Sequence, residues 1–145
     1  MAFAESGGWD THVQQGTAGG AFARRARDLG RSIAAFWRDL GSHRDDVVVL
    51  TMTEFGRTVA ENGSGGTDHG HGSCLFVLGG GVDGGKVHGR LPALAPENLY
   101  QGRDLPVTTD FRAVFSEVAG AHLGVGDAAG LFPGWSGGRI PLFRA

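Results

Sequence analysis

The stretch Asp46-Val47-Val48-Val49-Leu50-Thr51-Met52 decides the fold class. A continuous β-branched apolar run bounded by charge is the pattern of a strand covered on both faces, as in a parallel sheet. Glu54, Phe55, Gly56 and Arg57 follow at its carboxyl end, the side on which open α/β sheets bind ligands. Upstream, over residues 20–41, Phe22, Ala26, Leu29, Ile33, Trp37 and Leu40 recur at intervals of three or four. That is the stripe of an amphipathic helix, and Gly41 is placed to end it. Downstream, Cys74-Leu75-Phe76-Val77-Leu78 reads as a second buried strand running into Gly79-Gly80-Gly81, with Cys74 as a small core residue. Lys86-Val87-His88 follows the Asp83-Gly84-Gly85 turn as a short strand or hairpin arm.

The remainder fits around these strands. Residues 1–5 read as the end of a strand, and residues 91–106, with three prolines, as an extended surface loop. Thr109 can N-cap a helix through about residue 123, with Phe111, Val114, Phe115, Val118 and His122 inward and Gly124 at its end. The order strand, helix, strand, loop, strand, loop, helix is an α/β pattern. The expected architecture is one domain over residues 1–145, a partial, largely parallel sheet with flanking helices. Three strands are few for that class, and the chain opens at a strand end. Both features suggest the C-terminal part of a larger α/β domain, truncated at its N-terminus.

Bulk properties narrow the function classes. A 41% hydrophobic content suits a soluble globular chain. A formal net charge of −2 gives no reason to expect nucleic acid or an anionic membrane surface as partner. No apolar run is long enough to span a bilayer, and Met-Ala-Phe-Ala-Glu lacks the basic start and apolar stretch of a signal peptide. Cys74 is the only cysteine, which excludes an intrachain disulfide. Glycine is the anomaly, 27 of 145 residues against a usual ~7%. The glycines cluster beside polar loops, the pattern of tight turns around a site.

Two of those loops carry the chemistry. Gly66-Thr67-Asp68-His69-Gly70-His71-Gly72 places a carboxylate and two imidazoles within four residues. Gly7-Gly8-Trp9-Asp10-Thr11-His12 repeats the same residue types, with Asp10 and His12 at i and i+2, on one face of an extended segment. Asp and His suit zinc, manganese or iron. The candidate ligands are therefore Asp10, His12, Asp68, His69 and His71. The plainer alternative is a pair of turn-capping aspartates with backbone-bonded histidines. Glu54 is a candidate ligand, general base or partner orienting a ligating histidine. Arg57 is a candidate bidentate anion binder, and the two could equally form a salt bridge. His88 and His43 read as surface residues, and His122 as a core histidine. No Gly-x-Ser-x-Gly nucleophile, phosphate-binding loop or dinucleotide fingerprint occurs.

Five segments in order carry a family resemblance. They are Gly7–His12, Thr53-Glu54-Phe55-Gly56-Arg57-Thr58, Asn62-Gly63 through Gly70, Leu78-Gly79-Gly80-Gly81-Val82 with Gly84-Gly85, and Asp104 through Arg112. Together they resemble the C-terminal half of the bacterial family catalogued as domain of unknown function 1501, a relative of the alkaline phosphatase and sulfatase superfamily. The resemblance implies an alkaline phosphatase-like α/β fold and two divalent metals, zinc foremost, held by Asp and His from strand-end loops. Asp68-His69 matches the late Asp-His pair, and Asp10 with His12 the earlier loop. It also implies transfer of a phosphoryl or sulfuryl group from a small ester, with Arg57 as anion clamp, and export to the periplasm. The superfamily's Ser, Thr or modified Cys nucleophile lies in an N-terminal half that this chain does not match. Three readings follow: a metal-dependent ester hydrolase, incomplete as this chain; a non-catalytic binding or accessory protein retaining the fold; or a fragment without function of its own.

Overall fold

The computed structural model describes residues 1–144. The chain divides into two compact units, each assembled from separated segments. Unit 1 comprises Met1–Gly41, Glu54–Ser73 and Ala93–Pro106, and unit 2 comprises Ser42–Thr53, Cys74–Pro92 and Val107–Ala145.

In unit 1 the helical periodicity gives α1, Ala21–Asp39. Leu29, Ile33 and Trp37 are half-buried along the expected stripe, while Phe22 and Ala26 stay exposed. Trp9 meets Phe22 edge-on, with ring centroids 5.6 Å apart. Leu40 caps α1, and Gly41 follows at φ +53°, the left-handed turn that commonly ends a helix. Residues 1–5 form no strand and lie exposed. Two very short strands, β2 (Gly56–Arg57) and β3 (His69–Gly70), pair antiparallel with Gly56 opposite Gly70 and Arg57 opposite His69. Isolated bridges join Asp104 to Thr58 and to Tyr100. Asp104 is 2% exposed, and its carboxylate takes two bonds from Arg103, at 2.8 and 3.0 Å. Within the 91–106 loop, Pro96–Asn98 forms one 3₁₀ turn.

Unit 2 holds β1 (Val48–Leu50), which pairs antiparallel with β4 (Val77–Gly79), Val48 opposite Gly79. The second long helix, α2, spans Phe111–Leu123, and a short α3 spans Ala128–Leu131. Asp110, not Thr109, is the N-cap, its side chain accepting from the Arg112 N–H, and Gly124 ends α2 at φ +71°. The buried face of α2 is Ala113, Val114, Ser116 and Ala119. Of the expected stripe only Val114 is fully buried, and Phe111 is 53% exposed. Small side chains, not the aromatic ones, face inward. Val82 and Leu142 complete the buried apolar set of this unit.

The largely parallel α/β sheet is not formed: both sheets are two-stranded and antiparallel. Parallel neighbours need a crossover, usually a helix. Here α1 precedes β1 and α2 follows β4, with no helix between those strands. The chain therefore returns to β1 in the opposite sense. A two-stranded sheet also offers few neighbours to cover its faces, so Val47 through Leu50 are only half-buried. Cys74 lies ahead of β4 and is exposed, not in a core. The alkaline phosphatase-like architecture implied by resemblance is not the one this chain adopts.

Candidate metal centre

Both Asp/His loops lie in unit 1. Segment 11–15 runs beside 64–67. The Gln14 N–H donates to Ser64 O at 2.9 Å, Gln15 N–H to Gly65 O at 2.8 Å, and Thr67 N–H to Thr11 O at 3.3 Å. Gly66 is buried at this crossing, where a Cβ would fall on the carbonyls of His12 and Thr11. Only glycine permits that approach. The Thr11 and Thr67 hydroxyls both donate to Gln15 Oε1, at 2.7 and 2.8 Å. On the other side Thr58 N–H bonds Asp68 O at 3.0 Å, and Asp68 N–H bonds Thr58 Oγ1 at 3.2 Å. Three segments distant in sequence are thus laced by backbone bonds, which converge their side chains.

Three donor atoms meet there. Asp10 Oδ1 lies 2.9 Å from His12 Nε2 and 2.9 Å from His69 Nε2, and the two Nε2 atoms are 3.1 Å apart. Bonds of about 2.0–2.2 Å place neighbouring donors about 3.3–3.6 Å apart in tetrahedral geometry and about 3 Å apart at the right angles of an octahedron. Asp10, His12 and His69 are therefore close enough to hold one metal ion, and two imidazoles with one carboxylate suit zinc, manganese or iron. Their side chains are 40 to 60% exposed, which leaves one side of the cluster open.

Surrounding groups hold the cluster. The Phe55 ring stacks on His69 with centroids 3.8 Å apart, and the Arg57 guanidinium lies 5.6 Å from the Phe55 centroid. Arg57 donates to Trp9 O at 2.6 Å, Thr67 O at 2.7 Å and Asp10 Oδ1 at 2.8 Å. The bond from His69, followed by that from Arg57, holds the Asp10 carboxyl below its ordinary pKa. Asp68 is likewise held low, first by Asn62 and then by His12.

The expected residues separate into groups. Asp10, His12 and His69 converge, whereas Asp68 bonds the far nitrogen of His12, Nδ1, at 3.1 Å. Adjacent residues Asp68 and His69 thus reach opposite edges of one imidazole. His71 is exposed and stacks on Tyr100 at 4.2 Å. Arg57 pairs with Asp10, and Glu54 is exposed. His43 is exposed near Asp46, His88 is exposed and His122 is half-buried. Gln15 was passed over by motif reading, and Phe55 and Asn62, although inside the quoted segments, were given no role. Asn62-Gly63 reads as a turn, and its position six residues before Asp68 is the one available signal.

The chain matches the family model described as Protein of unknown function (DUF1501) over residues 2–131. It belongs to the DUF1501 family. No curated protein and no solved structure matches it. Every residue of the centre falls inside the matched part of this DUF1501 protein. Among its described residues no helix is long and apolar enough to cross a membrane.

Proposed function

We propose that this DUF1501 protein binds a divalent metal ion, zinc foremost, through Asp10, His12 and His69, and hydrolyses small phosphate or sulfate esters. The observation that carries the metal reading is the triangle of donor atoms with sides of 2.9, 2.9 and 3.1 Å. The ester class rests on the resemblance to phosphoryl- and sulfuryl-transfer enzymes. When bound, such an ion supplies Lewis-acid activation of water and of an ester oxygen. Arg57 holds Asp10 in place, its charge paired with that carboxylate. Thr11 and Thr67 spend their hydroxyl protons on Gln15, and Thr58 donates to Ala60 O at 3.0 Å. These three hydroxyls are committed to those bonds and are not offered as nucleophiles. Glu54, next to Phe55, is the candidate general base.

The same committed hydroxyls favour a second reading, a metal-binding accessory protein without turnover. Metal-loaded protein assayed on p-nitrophenyl phosphate and p-nitrophenyl sulfate separates the two. The hydrolase reading expects metal-dependent release of nitrophenol that Glu54→Gln lowers about 10²-fold or more, with metal content unchanged. Full metal occupancy without release from either ester supports the accessory reading.

A further inference from the structure

We propose that Asn62-Gly63 is a deamidation site whose conversion to aspartate dismantles the junction between the two Asp/His loops. Asparagine is among the thermolabile side chains, and a following glycine puts no Cβ beside the attacking nitrogen. Gly63 is exposed, and a Cβ added there would meet no atom within 4 Å. Among the described residues its N–H has no hydrogen-bond partner. The nucleophile is therefore unrestrained. In the reaction the Gly63 nitrogen gives its proton to solvent and bonds to Asn62 Cγ. The Cγ–Nδ2 bond breaks, and the nitrogen takes up a proton and leaves as ammonia. Water then opens the resulting succinimide at either carbonyl, which gives aspartate or isoaspartate at position 62.

The restraint lies on the electrophile. Asn62 Nδ2 donates to Asp68 Oδ1 at 2.9 Å and to the His12 carbonyl at 3.0 Å. Its Oδ1 accepts from the N–H of Ser64 at 2.9 Å and of Gly66 at 3.0 Å. These four bonds pin both ends of the carboxamide, so an ordered 62–68 loop slows ring closure and an opened one speeds it. The product cannot restore them. A carboxylate only accepts, so an oxygen in the place of Nδ2 would face the Asp68 carboxylate and the His12 carbonyl with no proton to offer. The two carboxylates would also repel at that distance. Isoaspartate lengthens the backbone inside the turn that the Gly65 N–H closes on Asn62 O at 3.2 Å. Either product releases His12 and Asp68 from the residue that joins them. An ion held by Asp10, His12 and His69 would order the same loops and protect Asn62. That protection rests on the metal reading of the site, and the chemistry of Asn62 does not.

The test incubates the full chain at mildly alkaline pH, metal-free, zinc-loaded and unfolded in urea, and follows each asparagine by peptide mapping with mass spectrometry. Asn98, followed by Leu99, is the internal control. Asn62 should convert while Asn98 persists, severalfold more slowly in the folded chain than in urea, and most slowly with zinc. Gly63→Ala, which the open space and an ordinary backbone conformation accommodate, should slow conversion severalfold in every state. Asn62→Asp, the product made directly, should lose amide-exchange protection over residues 62–68 and bind zinc about 10–100-fold more weakly. Should that variant fail to fold, exchange measured on wild-type chain aged to partial conversion decides the same point. An Asn62 that lasts as long as Asn98 in the folded, metal-free chain would overturn the proposal, as would an Asn62→Asp protein with unchanged exchange and affinity. A wild type that takes up no zinc would refute the metal reading alone, because the conversion rates and exchange of the metal-free protein still decide this proposal.

Discussion

Arg57 joins the two Asp/His loops at the level of single atoms, through Trp9 O, Thr67 O and Asp10 Oδ1. Lysine offers a point charge in place of a planar fork and cannot reproduce that set. Arg57→Lys should therefore weaken metal binding, by about tenfold on the scale of other supporting-residue changes, as isothermal titration would record. His71→Ala should leave the affinity unchanged, because His71 stacks on Tyr100 away from the triangle. Gly66→Ala should abolish uptake by forcing 64–67 away from His12. Asp10, His12 and His69 stood out in the sequence as candidates because their side chains are metal donors in any context, but so did Asp68 and His71, which the structure sets outside the triangle. Asn62 and Phe55 did not. An amide and a phenyl ring acquire their roles only from what folding sets beside them, here Asp68 and His69.

At the scale of elements, α2 offers two measurable handles. Asp110 caps it through the Arg112 N–H at 2.9 Å, and Asp110→Ala should cost about 1 kcal/mol in denaturant unfolding. The Arg112 guanidinium holds the Asp110 carboxyl below its ordinary 3.8. A depressed folded-state value gives stability that is present above the unfolded-state pKa and lost as pH falls through the folded one. Thermal melts should therefore lose stability below about pH 4, and Asp110→Asn should lose less over that window. Ser116 is fully buried, and among the described residues its hydroxyl has no hydrogen-bond partner. Relieving such a group recovers part of a 1–3 kcal/mol penalty, so Ser116→Ala should stabilise the chain by about 1 kcal/mol. Both long helices were legible from period and end signals at Gly41 and Gly124. The sheet was not, because the run Val47–Leu50 records hydrophobicity but not the direction of its partner. That direction is set by the connection, and no helix separates β1 from β4.

Across the whole molecule, apolar burial is unevenly distributed. Among the described residues the buried hydrophobic side chains are Val82, Ala113, Val114, Ala119 and Leu142, all in unit 2. Unit 1 buries Thr11, Thr58 and Asp104 with glycines 56, 66 and 72. Backbone and side-chain hydrogen bonds, not a hydrophobic core, hold the unit that carries the candidate centre. A ligand bound only by the folded state then adds directly to stability, about 2.7 kcal/mol at a hundredfold excess over Kd. Zinc should raise the melting temperature, EDTA should reverse the rise, and hydrogen-exchange protection should increase in residues 9–15 and 56–70. The most direct measurement is elemental analysis of the purified chain after loading with zinc, manganese or iron, beside Asp10→Ala, His12→Ala and His69→Ala. About one ion per wild-type chain, lost in each variant, is the expected result. A folded wild type without metal, or variants that retain it, would contradict the assignment of these three residues as a metal centre.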